Sequence, residues 1–103
     1  MQLNDIHWHD SLILNVRITP DRDVIEMRLL CPEEWTTNTY AERTVVFEDA
    51  YGYKEFQGPF EGSPTILSVE VVGQNGRWSQ LKIKTNAGYC EVFCVDAYLE
   101  ATP

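Results

Sequence analysis

The chain has 103 residues, of which 44% are hydrophobic and 12% aromatic, so it is long enough to form one domain around a single core and is not a disordered tail. Its 16 acidic residues against 8 lysines and arginines give a net charge of −8. Because nucleic acids and anionic membranes are bound through basic surfaces, this balance disfavours both as partners. It favours a basic protein as the partner.

The first half of the sequence predicts a β-hairpin and one further strand. Apolar and polar side chains alternate with a two-residue period over residues 12–18 and again over 24–30, and the intervening residues 20–23 favour a turn. A proline opens residues 32–36, and it lacks the N–H that a strand ladder needs. We therefore expect the second strand to end there and at most one short helical turn to follow. Residues 43–49 return to strand composition.

The second half predicts a long loop followed by three hairpin-linked strands. Residues 50–64 contain three glycines and two prolines, so we expect them to form the longest irregular loop. Further strands are predicted over residues 65–72, 77–85 and 89–97. Asn75-Gly76 favours a type I′ hairpin, in which both central residues have a positive φ. Residues 86–88 form a three-residue connection that ends in glycine, at the position that favours a left-handed residue.

These elements predict one all-β domain over residues 1–103. No run of helical length shows the 3.6-residue period of an amphipathic helix. We expect about six mainly antiparallel strands in a curled sheet, a sandwich or a partly open barrel. The order of the strands between the two halves stays open, because the connection through residues 50–64 can remain in one sheet or cross to another.

The cysteines, at positions 31, 90 and 94, predict reduced and buried thiols. An odd number argues against a closed disulfide framework. In an extended strand Cys90 and Cys94 lie about 13 Å apart, too far for a disulfide or a shared metal ion. The first residues lack the basic and apolar segments of a secretory signal, and the longest apolar run is too short to span a bilayer. We therefore expect a cytoplasmic protein.

The sequence His7-Trp8-His9-Asp10-Ser11 places both histidines of the protein within five residues. In an extended segment His7 and His9 point to the same side about 7 Å apart, a spacing from which two imidazoles can bind one metal ion. No third ligand has a suitable spacing, so we expect Trp8 to pack beneath the sheet while Asp10 and Ser11 bond backbone N–H groups. A catalytic triad is excluded, because adjacent residues of an extended segment face opposite ways.

The carboxylates form no recognisable acid–base pair, since neighbours such as Glu48-Asp49 diverge along a strand. We therefore predict no enzymatic activity and no cofactor. Trp35 follows Glu33-Glu34, and an exposed aromatic beside carboxylates is a good binding hot spot for an arginine of a partner. The predicted partner-binding residues are His9, Asp10, Glu33, Glu34 and Trp35.

The residues Trp8-His9-Asp10-Ser11-Leu12 resemble the opening of a broad group of small, mostly uncharacterised bacterial β-domains. In that group an aromatic residue precedes His-Asp-Ser or His-Asp-Ala and a first alternating strand. A later aliphatic-aliphatic-Phe strand is similar to Val45-Val46-Phe47. The resemblance implies a β-domain and assigns no chemistry. Some similar small acidic domains resemble immunity proteins that neutralise bacterial toxins, which implies docking onto a basic toxin.

Three functional hypotheses follow from these observations. The leading one is a non-enzymatic protein-binding domain, immunity-like by resemblance, whose acidic and aromatic surface docks a basic protein. The second gives His7 and His9 a role as metal ligands or as an acid–base pair in a hydrolytic protein. The third is a structural homodimer, formed where an exposed sheet edge pairs with the same edge of a second copy.

Overall fold

The computed structural model describes residues 6, 8–34, 39–59 and 61–100, and these residues confirm the all-β prediction. They form eight strands: β1 (Leu12–Thr19), β2 (Val24–Glu34), β3 (Thr39–Glu48), β4 (Tyr51–Gln57), β5 (Ile66–Asn75), β6 (Trp78–Thr85), β7 (Gly88–Cys94) and β8 (Asp96–Leu99). One 3-10 turn, Pro20–Arg22, joins β1 to β2. Within the described ranges the chain has no helix of the length and apolar character needed to cross a membrane.

Two antiparallel sheets of four strands pack face to face as a sandwich. The first sheet has the strand order β1-β2-β3-β8, and the second has the order β4-β7-β6-β5. Alternate residues of each strand point into the space between the sheets, where Met27, Phe47, Leu81, Ile83 and Val92 are fully buried. Burial of each such side chain stabilises the fold by roughly 1.5–3 kcal/mol, so the core fixes which face of each strand points outward.

A bent ribbon of two long strands connects the sheets. β3 leads into β4 through Asp49 and Ala50, and β7 leads into β8 through Val95, while β3 pairs with β8 and β4 pairs with β7. At the bend the Val95 N–H donates to the Glu48 carbonyl at 3.0 Å. Asp49 has a left-handed φ of 49°, which aspartate adopts more readily than most residues. The ribbon thus leaves one sheet and enters the other without losing its pairing.

Two turns contact this bend and hold it in place. The Trp78 indole N–H donates to the Asp49 carbonyl at 3.0 Å, and the Arg77 guanidinium pairs with the Asp49 carboxylate at 3.3 Å. The Ala50 N–H donates to the carbonyl of Asp23 at 2.8 Å. The β5–β6 and β1–β2 turns are therefore both bonded to the point where the chain changes sheets.

The prediction that the second strand ends at Pro32 is wrong, since β2 continues to Glu34. Pro32 lies opposite Tyr40 of β3, next to a register shift. The pairing of β1 with β2 reaches only as far as Leu12 and Leu30, so the missing N–H of Pro32 interrupts no ladder on that side. Residues 32–34 are therefore strand and not a helical turn, and residues 35–38 lie outside the described residues.

The prediction of an irregular loop over residues 50–64 is also wrong, because β4 occupies residues 51–57. Its glycine, Gly52, has a φ of +66° and lies where the β4–β7 register shifts, between Tyr51 and Lys54. Glycine there forms a bulge within a strand instead of ending it. The predicted number of about six strands differs from the observed number for this reason, and because residues 89–97 divide at Val95 into two strands.

The three predicted hairpins are present, with different turn geometry in two of them. The β1–β2 hairpin turns through residues 20–23 as predicted. In the β5–β6 hairpin Asn75 pairs with Trp78, so the central residues are Gly76 and Arg77, and only Gly76 has a positive φ. That is the pattern of a type II′ turn and not of type I′. Between β6 and β7 the connection is two residues long, and Gly88 already belongs to β7.

Candidate functional site

The residues from Trp8 to Ser11 form a tight turn and not an extended segment. The Ser11 N–H donates to the Trp8 carbonyl at 3.1 Å, and Asp10 has a left-handed φ of 68°. The Asp10 N–H donates to the Ile66 carbonyl at 2.9 Å, which connects the turn to the first residue of β5. Trp8 is buried in the core, as the sequence predicts. The motif therefore sets the start of β1.

This geometry leaves the His9 side chain on the surface beside Asp10. The His9 side chain is 67% exposed, with Nε2 3.8 Å from the Asp10 carboxylate, whereas Ser11 is fully buried. In the described part of the chain no three side chains of His, Cys, Asp or Glu are grouped to hold a metal ion. His7 lies outside the described residues, so its predicted pairing with His9 stays a prediction.

Two of the other predicted binding residues, Glu33 and Glu34, belong to a strand end at the same end of the first sheet. Antiparallel pairing of Leu12 with Leu30 places the turn that carries His9 and Asp10 beside the end of β2. Glu33 and Glu34 form that end, but their side chains and the whole of Trp35 lie outside the described residues. A binding hot spot at Trp35 stays a prediction.

The three cysteines are buried and form no disulfide, as predicted. Burial, and to a lesser extent the Asp96 charge, raise the pKa of Cys94 to about 12. Burial also raises the pKa of Cys90, against the opposing effect of hydrogen bonds from Tyr53 and Gln57. Because a thiol reacts as the thiolate, these side chains are inert core residues near neutral pH.

A cleft of about 200 Å³ opens between the edge strands β1 and β4. The Tyr53 hydroxyl donates to the Glu55 carboxylate at 2.7 Å, and the Gln57 amide donates to Cys90 Sγ at 2.8 Å. Burial, followed by Glu55 and Cys90, raises the pKa of Tyr53 far above its ordinary value. The cleft is smaller than most ligand sites, which enclose roughly 300–1,000 Å³, and its Tyr53, Glu55 and Gln57 side chains already form hydrogen bonds within the chain. We interpret it as a seam of the sandwich.

The outer face of β3 and β8 carries an aromatic residue surrounded by carboxylates. We call Tyr98, Glu48, Asp96 and Glu100 the Tyr98 patch. Glu48 lies directly opposite Asp96 in the β3–β8 pair, and the Tyr98 hydroxyl donates to the Glu48 carboxylate at 2.8 Å. Glu100 follows β8, and its N–H donates to the Thr44 carbonyl at 2.8 Å. Three carboxylates are thus held around one ring.

Their charges act on Tyr98 and on each other. The hydrogen bond to Glu48 is the main cause that raises the pKa of Tyr98, and the charges of Asp96 and Glu100 raise it further, so its hydroxyl remains a donor at neutral pH. Like charges directly opposite each other destabilise a sheet. The opposition of Glu48 and Asp96 concentrates negative charge at this edge of the sheet, where a basic group of another molecule would be attracted.

Two arginines of the same outer face lie away from the patch, beside other carboxylates. The Arg28 guanidinium pairs with Glu42 at 2.6 Å, and Arg17 lies opposite Glu26 in the β1–β2 pair. Positive and negative charges are therefore balanced near β1 and β2. The acidic end of the face is the Tyr98 patch, which makes it the better candidate for contact with a basic partner.

The sequence contains a signal for this patch that the predicted elements do not use. Asp96, Tyr98 and Glu100 have a two-residue spacing, which puts all three on one face of a strand. The last predicted strand stops at residue 97, before the tyrosine. The contribution of Glu48 depends on pairing between β3 and β8, which follows from the order of strands and not from a local pattern.

No protein-family model matches the chain, and none of the curated proteins matches it. The resemblance of Trp8-His9-Asp10-Ser11 to the opening of small bacterial β-domains stays a prediction.

Proposed function

We propose that this chain is a non-enzymatic protein-binding domain that docks a basic protein through the Tyr98 patch. The observation that carries the proposal is the direct opposition of Glu48 and Asp96 beside the ring of Tyr98. An arginine of the partner placed over that ring would make a cation–π contact of about 0.5–1 kcal/mol. It would also reach carboxylate oxygens that accept charge-assisted hydrogen bonds.

The backbone beneath the patch is fixed by the core, which supports a binding role. Phe47 and Ala97 are opposed on the inner face of the β3–β8 pair, and both are fully buried. The Ala97 N–H donates to Asp96 Oδ1 at 2.9 Å and orients that carboxylate. Because these groups are already ordered, a partner loses less conformational freedom on binding than it would on a flexible loop.

The net charge of −8 supports an immunity-like version of the proposal, in which the partner is a basic toxin. A toxin that cuts nucleic acid needs a basic groove, and a surface of carboxylates is complementary to such a groove. We expect the purified protein to bind a basic toxin domain encoded beside its own gene. If it binds none of the neighbouring candidates, the immunity-like version is wrong.

A titration with a synthetic peptide of ten alternating arginine and glycine residues tests the patch itself. We expect the peptide to shift the amide NMR signals of Tyr98 and Val46, which lie opposite each other. A Glu48→Gln/Asp96→Asn variant keeps the hydrogen-bond acceptors and removes both charges. Its affinity for the peptide is expected to fall about tenfold, which corresponds to about 1.4 kcal/mol.

The matched control removes two charges from the same face at a distance from the patch. A Glu26→Gln/Glu42→Gln variant has the same net charge as the patch variant, and its affinity is expected to change less than about twofold. Equal losses in the two variants would show a general charge effect and would contradict docking at the Tyr98 patch. An alternating glutamate–glycine peptide should not bind either protein.

A further inference from the structure

The outer face of the second sheet has a composition opposite to that of the chain as a whole. All three lysines of the protein, Lys54, Lys82 and Lys84, lie on this face together with two glutamates, Glu70 and Glu91, because residues opposite one another in adjacent strands share a face. The face is therefore slightly basic on a protein of net charge −8. This surface is a poor candidate for the basic partner proposed above.

Its middle row alternates in charge across all four strands. Lys54 of β4 lies opposite Glu91 of β7, Glu91 lies opposite Lys82 of β6, and Lys82 lies opposite Glu70 of β5. Read from β4 to β5, the row is positive, negative, positive and negative. When this row is read in the reverse direction, every position carries the opposite charge. The row is therefore complementary in charge to a reversed copy of itself.

One particular symmetry between two copies of the chain reverses the row. Two copies of the face can pack together around a twofold axis that runs parallel to the strands. Each residue of a row then lies against the residue of the second copy that is equally far from the centre of its own row, on the opposite side. Lys54 then meets Glu70 of the second copy, and Glu91 meets Lys82 of the second copy. Each contact occurs twice, so four ion pairs form. A twofold axis across the strands would instead put each charge against itself, which is unfavourable.

The aromatic residues of this face fit the same symmetry. Tyr51 stacks on Phe93 with ring centroids 4.9 Å apart, and Phe56 stacks on Tyr89 at 4.8 Å. Tyr51 and Phe56 remain 42% and 48% exposed, and exposed aromatic surface of this kind normally marks an interface. Both stacked pairs lie on β4 and β7, and the Trp78 ring of β6 packs edge-on against Tyr51 with centroids 5.8 Å apart.

Two residues with little or no side chain lie on β5 at the far end of these rows. In the row of Tyr51 the β5 position is Gly73, and in the row of Phe56 it is Ser68. Under the twofold axis parallel to the strands, Tyr51 therefore lies against Gly73 of the second copy, and Phe56 lies against Ser68 of the second copy. In the Phe56 row a ring therefore meets a small side chain, whereas at Gly73 the Gln80 side chain of the same copy lies over the glycine. Between these two rows, charge meets opposite charge.

We propose that two copies of this chain pair face to face through the outer surface of the second sheet, around a twofold axis parallel to its strands. The interface is a sheet face, unlike the sheet edge predicted from the sequence, and it is isologous, so it closes at two copies. The Tyr98 patch lies on the first sheet and points away from it. The dimer therefore presents two acidic patches on opposite sides.

The size of the face sets the expected strength of the dimer. Four strands spaced about 4.8 Å apart and strands of about seven residues make a face about 19 Å wide and 23 Å long. An interface of this size lies at the lower end of the range for specific complexes. We expect a dimer that dissociates at micromolar concentrations.

Charge reversal at either end of the row tests the proposal by sedimentation velocity. Lys54→Glu places a glutamate against Glu70 of the second copy, and Glu70→Lys places a lysine against Lys54 of the second copy. Each variant alone is expected to dimerise at least about thirtyfold more weakly than the unaltered chain. An equimolar mixture restores opposite charges, because the introduced glutamate of one variant meets the introduced lysine of the other. The mixture is therefore expected to form heterodimers at near-normal strength.

Matched reversals on the first sheet control for net charge. Arg17→Glu and Glu26→Lys change the charge of the chain by the same amounts and are expected to leave dimerisation unchanged. Thermal unfolding of each variant shows whether it is folded, and only folded variants enter the comparison. The proposal is overturned if the unaltered chain stays monomeric at millimolar concentration. It is equally overturned if the single variants dimerise normally or if their mixture fails to recover.

Discussion

The outer faces of the two sheets differ in how their charges are arranged. On the second sheet every cross-strand neighbour in the row from Lys54 to Glu70 has the opposite sign, so the row stabilises its own sheet. On the first sheet Glu48 faces Asp96, and the two carboxylates repel each other. One face alternates its charges along a row, while the other places two carboxylates opposite each other.

This difference separates two kinds of recognition in one small domain. A face whose charges alternate can match a second copy of itself, because its own reversed pattern supplies the complementary charges. A patch of one sign, such as the Tyr98 patch, cannot pair with itself and needs a different molecule. Net charge alone does not distinguish these cases, since the value of −8 averages a nearly balanced face with an acidic one.

A substitution at Gly88 is expected to have the largest effect and to disrupt the second sheet specifically. Gly88 has a φ of +146°, and a Cβ there would lie 2.1 Å from the Phe56 carbonyl oxygen, so Gly88→Ala must separate β7 from β4. We expect the free energy of unfolding to fall by roughly 2–3 kcal/mol. Urea denaturation measures the loss, and amide NMR shifts should change along β4 and β7 more than along β1 and β2.

The control for this variant is Gly58→Ala, whose Cβ would approach only the Ala87 carbonyl, at 3.9 Å. Its stability should differ from that of the unaltered chain by less than about 0.5 kcal/mol. Equal losses in the two variants would contradict a specific close contact at Gly88.

Alkaline pH is expected to weaken the seam between the sheets and so affect both faces together. Because burial raises the pKa of Tyr53 above that of the unfolded chain, the unfolded chain releases this proton first as the pH rises. The free energy of unfolding should therefore be constant in this respect below about pH 10 and fall above it. Allowing for solvent contact, we expect a slope of at most about 1 kcal/mol per pH unit.

Tyr53→Phe removes one titrating group and should make the fall in stability between about pH 10 and pH 12 less steep, while the raised pKa values of Cys90 and Cys94 cause the remainder. Tyr98→Phe provides the comparison, since Tyr98 lies on the surface and its ionisation is screened by water. Urea denaturation at several pH values measures both variants. A curve for Tyr53→Phe that falls as steeply as that of the unaltered chain would show that another group causes the alkaline loss.

The smallest effect is expected from two single substitutions, one on each outer face. They test the comparison of the faces most directly, because they should change the free energy of unfolding in opposite directions. Glu48→Gln removes one of two like charges and should stabilise the chain, whereas Glu91→Gln removes a negative charge from between Lys54 and Lys82 and should destabilise it. Each change is expected to be about 0.2–1 kcal/mol. Both glutamines keep an oxygen to accept the existing bonds from Tyr98 and Gln80.

Measurements in 1 M salt provide the control for this pair, since the Debye length there is about 3 Å. Both differences should shrink towards zero. Changes of the same sign at low salt would mean that the two faces do not differ in the way proposed.

Much of the fold is predictable from local patterns, because the two-residue period and the turn residues are local properties. The alternation over residues 12–18 and 24–30 correctly predicts β1 and most of β2. The predictions fail where pairing with a neighbouring strand decides whether a residue belongs to a strand. Pro32 remains in a strand because β1 does not extend past it, and Gly52 remains in a strand because β7 pairs on both sides of its bulge.

The candidate site is less predictable for the same reason. The Tyr98 patch needs Glu48 and Asp96, which are far apart in sequence and become neighbours only through the pairing of β3 with β8. The conspicuous motif around His9 forms a turn that starts β1, so unusual composition there has a structural cause. A local pattern reveals residues that share a strand face, but not the residues that a distant strand brings beside them.

The bent ribbon also determines how the molecule opens. Because β3 leads into β4 and β7 leads into β8, with the Val95 N–H bonded to the Glu48 carbonyl at the bend, a hydrogen-bonded ribbon joins the two sheets. Fluctuations that separate the strands of one sheet therefore strain the other sheet through this ribbon. Slow amide hydrogen exchange should therefore show a single cooperative unit, and a molecule bound to either face should protect the amides of both.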